Sequence, residues 1–231
     1  MRKVTTEKKL LVAASVSCMD MMHMQKCMEE TEAAGIDFYH YDIVDGTFNT
    51  CFILGQTLLE SMRARTEMPI EVHLAVEEPM KFIEQYARLG ADYIGVHYES
   101  KGDIAATLDA VLAAGATPTL QLRAETAFKE DMMPLFEKVA WVNKLTVNPG
   151  YSGQTMQPQA LEHIRGIRDA IERAGLAVRL QADGNIKEET IPLVVRAGAD
   201  ILTGGTSGLF ARGNTVAQNI TKMREAAQAA L

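Results

Sequence analysis

Leu89-Gly90-Ala91-Asp92-Tyr93 joins a helix end, a glycine and the start of an apolar run, and the chain repeats this pattern. It returns at Ala34-Gly35-Ile36-Asp37-Phe38, Ala114-Gly115-Ala116-Thr117, Ala174-Gly175-Leu176-Ala177-Val178 and Ala197-Gly198-Ala199-Asp200-Ile201. A glycine in this place takes the left-handed conformation that ends a helix and turns the chain into a strand. The spacing is one or two units of roughly 25 residues, as successive βα units require. Each of the two double gaps holds a unit without the glycine, ending near Arg65 and Ala140, so with the C-terminal helix the units number eight. Eight units in 231 residues predict one (β/α)8 barrel domain over 1–231. Strands are expected at 10–16, 38–44, 70–75, 93–98, 117–122, 142–147, 177–182 and 200–204. An open doubly wound sheet fits less well, because no Gly-rich dinucleotide fingerprint follows the first strand.

Helical periodicity supports the intervening segments. Ile104, Leu108, Val111 and Leu112 read as one stripe, Leu161, Ile164 and Ile171 as another, with Pro79 and Pro158 at helix starts. A net charge of −7 argues against nucleic acid or an anionic membrane as the main partner. Three cysteines, Cys18, Cys27 and Cys51, without C-x-x-C spacing suit a reduced cytoplasmic chain. Arg2, Lys3, Lys8 and Lys9 before Leu10-Leu11-Val12-Ala13-Ala14 imitate a signal peptide. That apolar run is short and Ser15 and Ser17 follow it, so it reads as a strand. No segment has the length of a membrane span.

The functional candidates begin at His40-Tyr41-Asp42-Ile43-Val44-Asp45-Gly46. Alternation puts His40, Asp42 and Val44 on one face and apolar Tyr41 and Ile43 on the other, before an Asp-Gly turn. An active site and a hydrogen-bonded pair of core residues explain this stretch equally well. The other strand ends tip the balance. Catalytic residues of this fold gather where the strands end. Those ends read Ser15; His40 and Asp42; His73; His97 and Glu99; Arg123; Asn148; Asp183; and Thr206. Three of the five histidines fall there, while His23 and His163 lie in helices as expected surface residues.

His40, Asp42, His73 and Asp183 come from strands 2, 3 and 7 and can converge. Two imidazoles and two carboxylates suit one divalent ion per subunit, Zn, Mn, Fe or Co ahead of Mg. Barrel interiors are mostly branched apolar residues, so a polar layer held only by hydrogen bonds is the costlier alternative. Three glycine-rich loops follow the later strands: Asn148-Pro149-Gly150-Tyr151-Ser152-Gly153-Gln154, Asp183-Gly184-Asn185 and Gly204-Gly205-Thr206-Ser207-Gly208. Exposed backbone N–H groups in such loops cradle an anion, and phosphate sites often occupy this part of the fold.

Several segments match a known family in order across nearly the whole chain. They are Ala14-Ser15, His40-x-Asp42-x-x-Asp45-Gly46, Val72-His73-Leu74, Gly90-Ala91-Asp92, Thr146-Val147 with the loop at 148–154, Asp183-Gly184 and Gly205-Thr206. Together they resemble the ribulose-phosphate 3-epimerase family. Cys18-Met19-Asp20 and Gly205-Thr206-Ser207-Gly208-Leu209-Phe210 look most like its allulose-6-phosphate 3-epimerase branch. The resemblance implies His40, Asp42, His73 and Asp183 as metal ligands, with Asp42 and Asp183 also the acid/base pair. It implies that Ser15 and His73 touch substrate and that Gly150, Tyr151, Ser152, Gly153, Gly184, Asn185, Gly205 and Thr206 hold its phosphate.

The departures lie elsewhere. Where the family carries methionines around the reacting carbons, this chain has Val44, Ala75 and Leu145. The loop after Asp45-Gly46 is Thr47-Phe48-Asn49-Thr50-Cys51, strand 5 ends in Arg123-Ala124, and Asn185 stands where glycine is usual. The expected reaction is therefore C3 epimerisation of a ketose phosphate, with ribulose 5-phosphate not the best substrate. Ala75 widens the pocket unless Phe48 or Arg123 fills it, and Arg123 is a candidate bidentate grip on substrate. Another enediolate reaction, a decarboxylation or aldol cleavage, fits less well. Such enzymes carry Asp-x-Lys-x-x-Asp where this chain has Glu71-Val72-His73-Leu74. A non-catalytic sugar-phosphate-binding barrel would have no need of both Asp42 and Asp183. The expected partners are a small-molecule sugar phosphate and further copies of the chain, with neither nucleic acid nor membrane.

Overall fold

The computed structural model describes every residue except 6, 151 and 152. Eight parallel strands close into a barrel: β1 (Leu11–Ser15), β2 (Phe38–Asp45), β3 (Ile70–Ala75), β4 (Tyr93–His97), β5 (Thr117–Leu122), β6 (Trp141–Leu145), β7 (Arg179–Asp183) and β8 (Ile201–Gly204). Each pairs with its sequence neighbours, and β1 bonds to both β2 and β8 to complete the ring. The helices are α1 (Met24–Ala33), α2 (Gln56–Arg63), α3 (Ile83–Arg88), α4 (Ile104–Ala113), α5 (Met133–Phe136), α6 (Ala160–Arg173), α7 (Ile191–Arg196) and α8 (Val216–Gln228). The strands lie within two residues of their expected positions. An additional two-residue strand, Phe52–Ile53, pairs antiparallel with the end of β2.

The repeated motif has a structural job beyond its glycine. Its aspartate accepts a backbone hydrogen bond from an adjacent strand: Asp37 from Val12 N (2.7 Å), Asp92 from Ile70 N (3.2 Å) and Asp200 from Leu180 N (2.9 Å). These carboxylates tie strand starts together at the bottom of the barrel. Outward strand residues such as Tyr39, Tyr41, Val72, Leu74, Ile94 and Leu120 pack under the helices as the main core. In α4, Leu108 and Val111 join that core, whereas Leu112 is 66% exposed. It stands about 100° round the helix from Val111, beyond the buried stripe. Among the described residues, no helix is long and apolar enough to cross a membrane.

Inward residues form layers. Leu11, Ala13, Phe38, Tyr93, Trp141 and Ile201 plug the floor. Above them the expectation of an apolar interior fails: Glu71, Thr119, Gln121, Asn143, Gln181 and Thr203 are all buried there. Hydrogen bonds among these side chains offset their desolvation, as in Asn143 Nδ2 to Gln121 Oε1 (2.6 Å) and Gln181 Nε2 to Thr203 Oγ1 (2.8 Å). Side-chain hydrogen bonds thus partner most of the layer, while the buried Asn143 Oδ1 and Gln181 Oε1 have no partner among the described residues.

Candidate active site

Register and alternation bring the four sequence candidates to one point above that layer. Asp42 on β2 sits directly opposite His73 on β3, and β7 ends at Asp183. One ligand atom from each of His40, Asp42, His73 and Asp183 lies within 4.8 Å of the others. His40 Nε2 is 3.1 Å from both Asp42 Oδ1 and His73 Nδ1, and 3.4 Å from Asp183 Oδ2. His73 Nδ1 is also 3.1 Å from Asp42 Oδ1.

The surroundings fix how these groups face. His40 Nδ1 donates to Glu71 Oε2 (2.7 Å), which leaves the Nε2 lone pair for the centre. Glu71 is fully buried, and its Oε1 accepts from Thr119 Oγ1 (2.8 Å), Gln121 Nε2 (3.1 Å) and Trp141 Nε1 (2.9 Å). Ser17 Oγ (2.8 Å) and Ser15 Oγ (3.2 Å) donate to Asp42 Oδ2. Burial works against a charge on His40, but Asp42, Asp183 and Glu71 outweigh it and raise its pKa well above the ordinary value. Burial likewise opposes ionisation of Asp42, yet His40 and His73 hold its carboxyl well below the usual range. The carboxylates that favour a proton on His40 would equally favour a divalent ion in its place, with Nε2 deprotonated toward it, and this donor set fits such an ion.

Next to His73 lies His97, pushed down to about 4 by burial against the pull of Glu99. Glu99 is held down to about 2: burial would raise it, but bonds from His97, Thr126 and the Arg123 N–H prevail. Lys144, on the outer face of β6, is buried and donates to the carbonyls of Arg123, Ala124 (3.0 Å) and Thr126 (2.6 Å). Burial pushes that ammonium down to about 8.

A cavity of about 390 Å³ opens over the cluster, within the range of small-ligand sites. Asp42, His73 and Asp183 line one end. Gly150, Gly153, Gly184, Asn185, Gly205 and Thr206 line it from the loops, while Tyr151 and Ser152 lie outside the described residues. Positive φ at Gly150 (96°), Gly153 (79°), Gly184 (104°) and Asn185 (52°) reverses these loops over the cavity. Asn185 is the non-glycine residue best suited to that conformation. Ser15 lines the cavity too, although its hydroxyl is spent on Asp42 and Ser17.

Two sequence expectations change here, the grip by Arg123 and the surface placing of His163. Arg123 is not among the residues lining the cavity: its guanidinium lies 4.0 Å from the Phe48 ring centroid and donates to Phe48 O (2.7 Å). Phe48 in turn stacks on His97 rather than filling the space beside Ala75. That side is lined by Val44, Phe52, Ile53, Leu54 and Ala75. Glu71 and Ser17 are functional neighbours the sequence reading passed over. Glu71 shares inward parity with His73, which was the available signal. His23 is exposed and paired with Asp20 (2.7 Å), and half-buried His163 donates from Nδ1 to Ala124 O (3.1 Å).

A closed barrel whose mouth joins a two-histidine, two-aspartate set to glycine loops defines a (β/α)8 enzyme with a candidate metal centre. Comparison with known proteins narrows the class. The model of the ribulose-phosphate 3 epimerase family matches residues 11–210. Ribulose-phosphate 3-epimerase of Aquifex aeolicus is 33% identical over 208 residues, covering 90% of this chain and 93% of that protein. The Methanocaldococcus jannaschii protein of the same name is 32% identical over 220 residues, covering 95% and 92%. The chain belongs to the ribulose-phosphate 3-epimerase family, and with it to the isomerases. Among solved structures, 3-hexulose-6-phosphate synthase from Salmonella typhimurium superposes with TM-score 0.66 at 12% identity, covering 96% of this chain and all of that one. At that identity the likeness concerns the fold alone.

Proposed function

We propose that this protein inverts C3 of a ketose phosphate, using one divalent ion held by His40, Asp42, His73 and Asp183. The observation that carries the reading is the single cavity lined both by the aspartates and by the glycine loops. Epimerisation beside a ketone removes the C3 proton and returns one on the opposite face. Asp42, at the end of β2 and lining the cavity, is placed to take that proton as a carboxylate. Asp183, on β7 with β1 and β8 between it and β2, serves as the partner that delivers a proton from the other side. A divalent ion bound here supplies the positive charge that stabilises the enediolate. The N–H groups around Gly153, Gly184 and Gly205 hold the phosphate and thereby fix the reacting carbon between the two acids.

The preferred substrate is a hexulose 6-phosphate or a similarly larger ketose phosphate. Ala75 and Val44 leave room beside the reacting carbons, and neither Phe48 nor Arg123 lines that side. The three free thiols support a reducing, cytoplasmic setting. Exposed Met21 and Phe52 on the rim of the mouth, with exposed Met22, support self-association of the chain. Incubation with pentulose and hexulose phosphates in D2O, read by NMR for deuterium at C3, tests the reaction. Absence of C3 exchange with every ketose phosphate tried ends the proposal.

A further inference from the structure

The two histidine candidates are backed in different ways. His40 meets a carboxylate directly, whereas His73 meets a second imidazole, with 2.9 Å between His73 Nε2 and His97 Nε2. His97 Nδ1 in turn lies 2.9 Å from Glu99 Oε2. His97 is fully buried and His73 2% exposed, so neither contact is left to solvent. An ionised carboxylate only accepts, so His97 Nδ1 carries a proton and donates it. A neutral imidazole that donates at Nδ1 accepts at Nε2, so His73 donates from Nε2. The Nδ1 lone pair of His73 then faces the centre.

We propose that Glu99 and His97 are positioning residues: a carboxylate–imidazole–imidazole relay that sets the tautomer of His73 and presents its Nδ1 to the metal. This rests on the metal reading above. The relay is anchored at its far end, where Glu99 Oε1 accepts from Arg123 N (2.9 Å) and Thr126 Oγ1 (2.5 Å). Lys144 pins that same turn through its carbonyls. Phe48, with its centroid 4.6 Å from that of His97, packs on the middle ring and resists its rotation. Arg123 covers Phe48, so the loop after β2, the relay and His73 form one packed column.

Glu99→Gln separates the relay from the scaffold. The amide oxygen in place of Oε1 keeps both bonds to the turn. The amide nitrogen replaces Oε2 and donates toward His97 Nδ1. Proton order then reverses along the relay: His97 donates from Nε2, His73 accepts there, and its proton moves to Nδ1, where the ion belongs. Thr126→Ala instead removes one anchor bond and leaves the proton order untouched.

Metal-free protein labelled with 15N-histidine reports the His97 tautomer by NMR, and titration with Co²⁺ reports affinity. The expected pattern is Nδ1–H in the parent and in Thr126→Ala, and Nε2–H in Glu99→Gln. Co²⁺ should bind Glu99→Gln roughly 10–100-fold more weakly and Thr126→Ala as the parent does. An Nε2–H tautomer of His97 in the parent overturns the relay, a result available even if Glu99→Gln fails to fold. Parent-like Co²⁺ affinity in Glu99→Gln, or equal weakening in Thr126→Ala, overturns it as well. A parent with the expected tautomer that binds no Co²⁺ overturns the metal reading instead, which keeps the two failures distinct.

Discussion

The two ends of the cavity are built by opposite means. At the proposed metal end, side chains from β2, β3 and β7 converge, and partners such as buried Glu71 and half-buried Ser17 hold them. At the other end, the proposed phosphate end, Gly150, Gly153 and Gly184 turn loops through positive φ, so backbone N–H groups rather than side chains would do the recognising. The first end should lose function when a side-chain atom is removed, and the second when one is added. Asp42→Asn gives the largest expected effect, a fall in turnover of about 10⁴-fold with KM little changed, because both a proton carrier and a ligand are lost. Steady-state kinetics on the best substrate would check this, and near-parental turnover would remove Asp42 from the chemistry.

Acid should weaken the metal end through Glu99. Its folded pKa of about 2 lies below the ordinary 4.5, so in that window the unfolded chain binds more protons than the folded one. The stabilisation is complete above pH 4.5 and is lost as pH falls through 2; it amounts to about 3 kcal/mol. Urea melts at a series of acidic pH values should show a shallower decline for Glu99→Gln than for the parent, and parallel curves would refute the assignment. At the phosphate end, a Cβ on Gly205 would stand 3.2 Å from Cys18 Sγ. Gly205→Val should therefore raise KM for a phosphorylated sugar roughly 30-fold with kcat little affected. A fall in kcat alone would blur the division between the ends. The smallest effect belongs to the space between them. Ala75→Met should move relative kcat/KM about tenfold or less toward ribulose 5-phosphate over a hexulose 6-phosphate. A parent that already prefers ribulose 5-phosphate would end that reading of the pocket.

The same contrast decides what could be read from the sequence. Glycine-capped repeats located five of the eight strands, the even spacing and apolar runs supplied the other three, and alternation along them assembled His40, Asp42, His73 and Asp183. Such features are periodic, so letters and spacing suffice. Glu71, Gln121, Asn143 and Gln181 have the same inward parity, yet a barrel interior was expected to be apolar, which hid the layer beneath the site. Arg123 went astray for another reason. A strand end leaves open whether a long side chain turns into the mouth or over its rim, and stacking on Phe48 took the second course. The phosphate end offered only glycines, whose meaning lies in dihedral angles.

One contact in the polar layer has a practical consequence. Trp141 is the sole tryptophan, 2% exposed, and its indole N–H donates to the carboxylate that backs His40. Tyr93 lies 4.4 Å from its ring centroid, close enough to pass on excitation. Any change of charge at the centre alters the field along the Glu71–indole bond and with it the emission of that one fluorophore. The barrel thus carries an optical gauge wired to its own active site, readable without a label, a coupled enzyme or a chosen substrate.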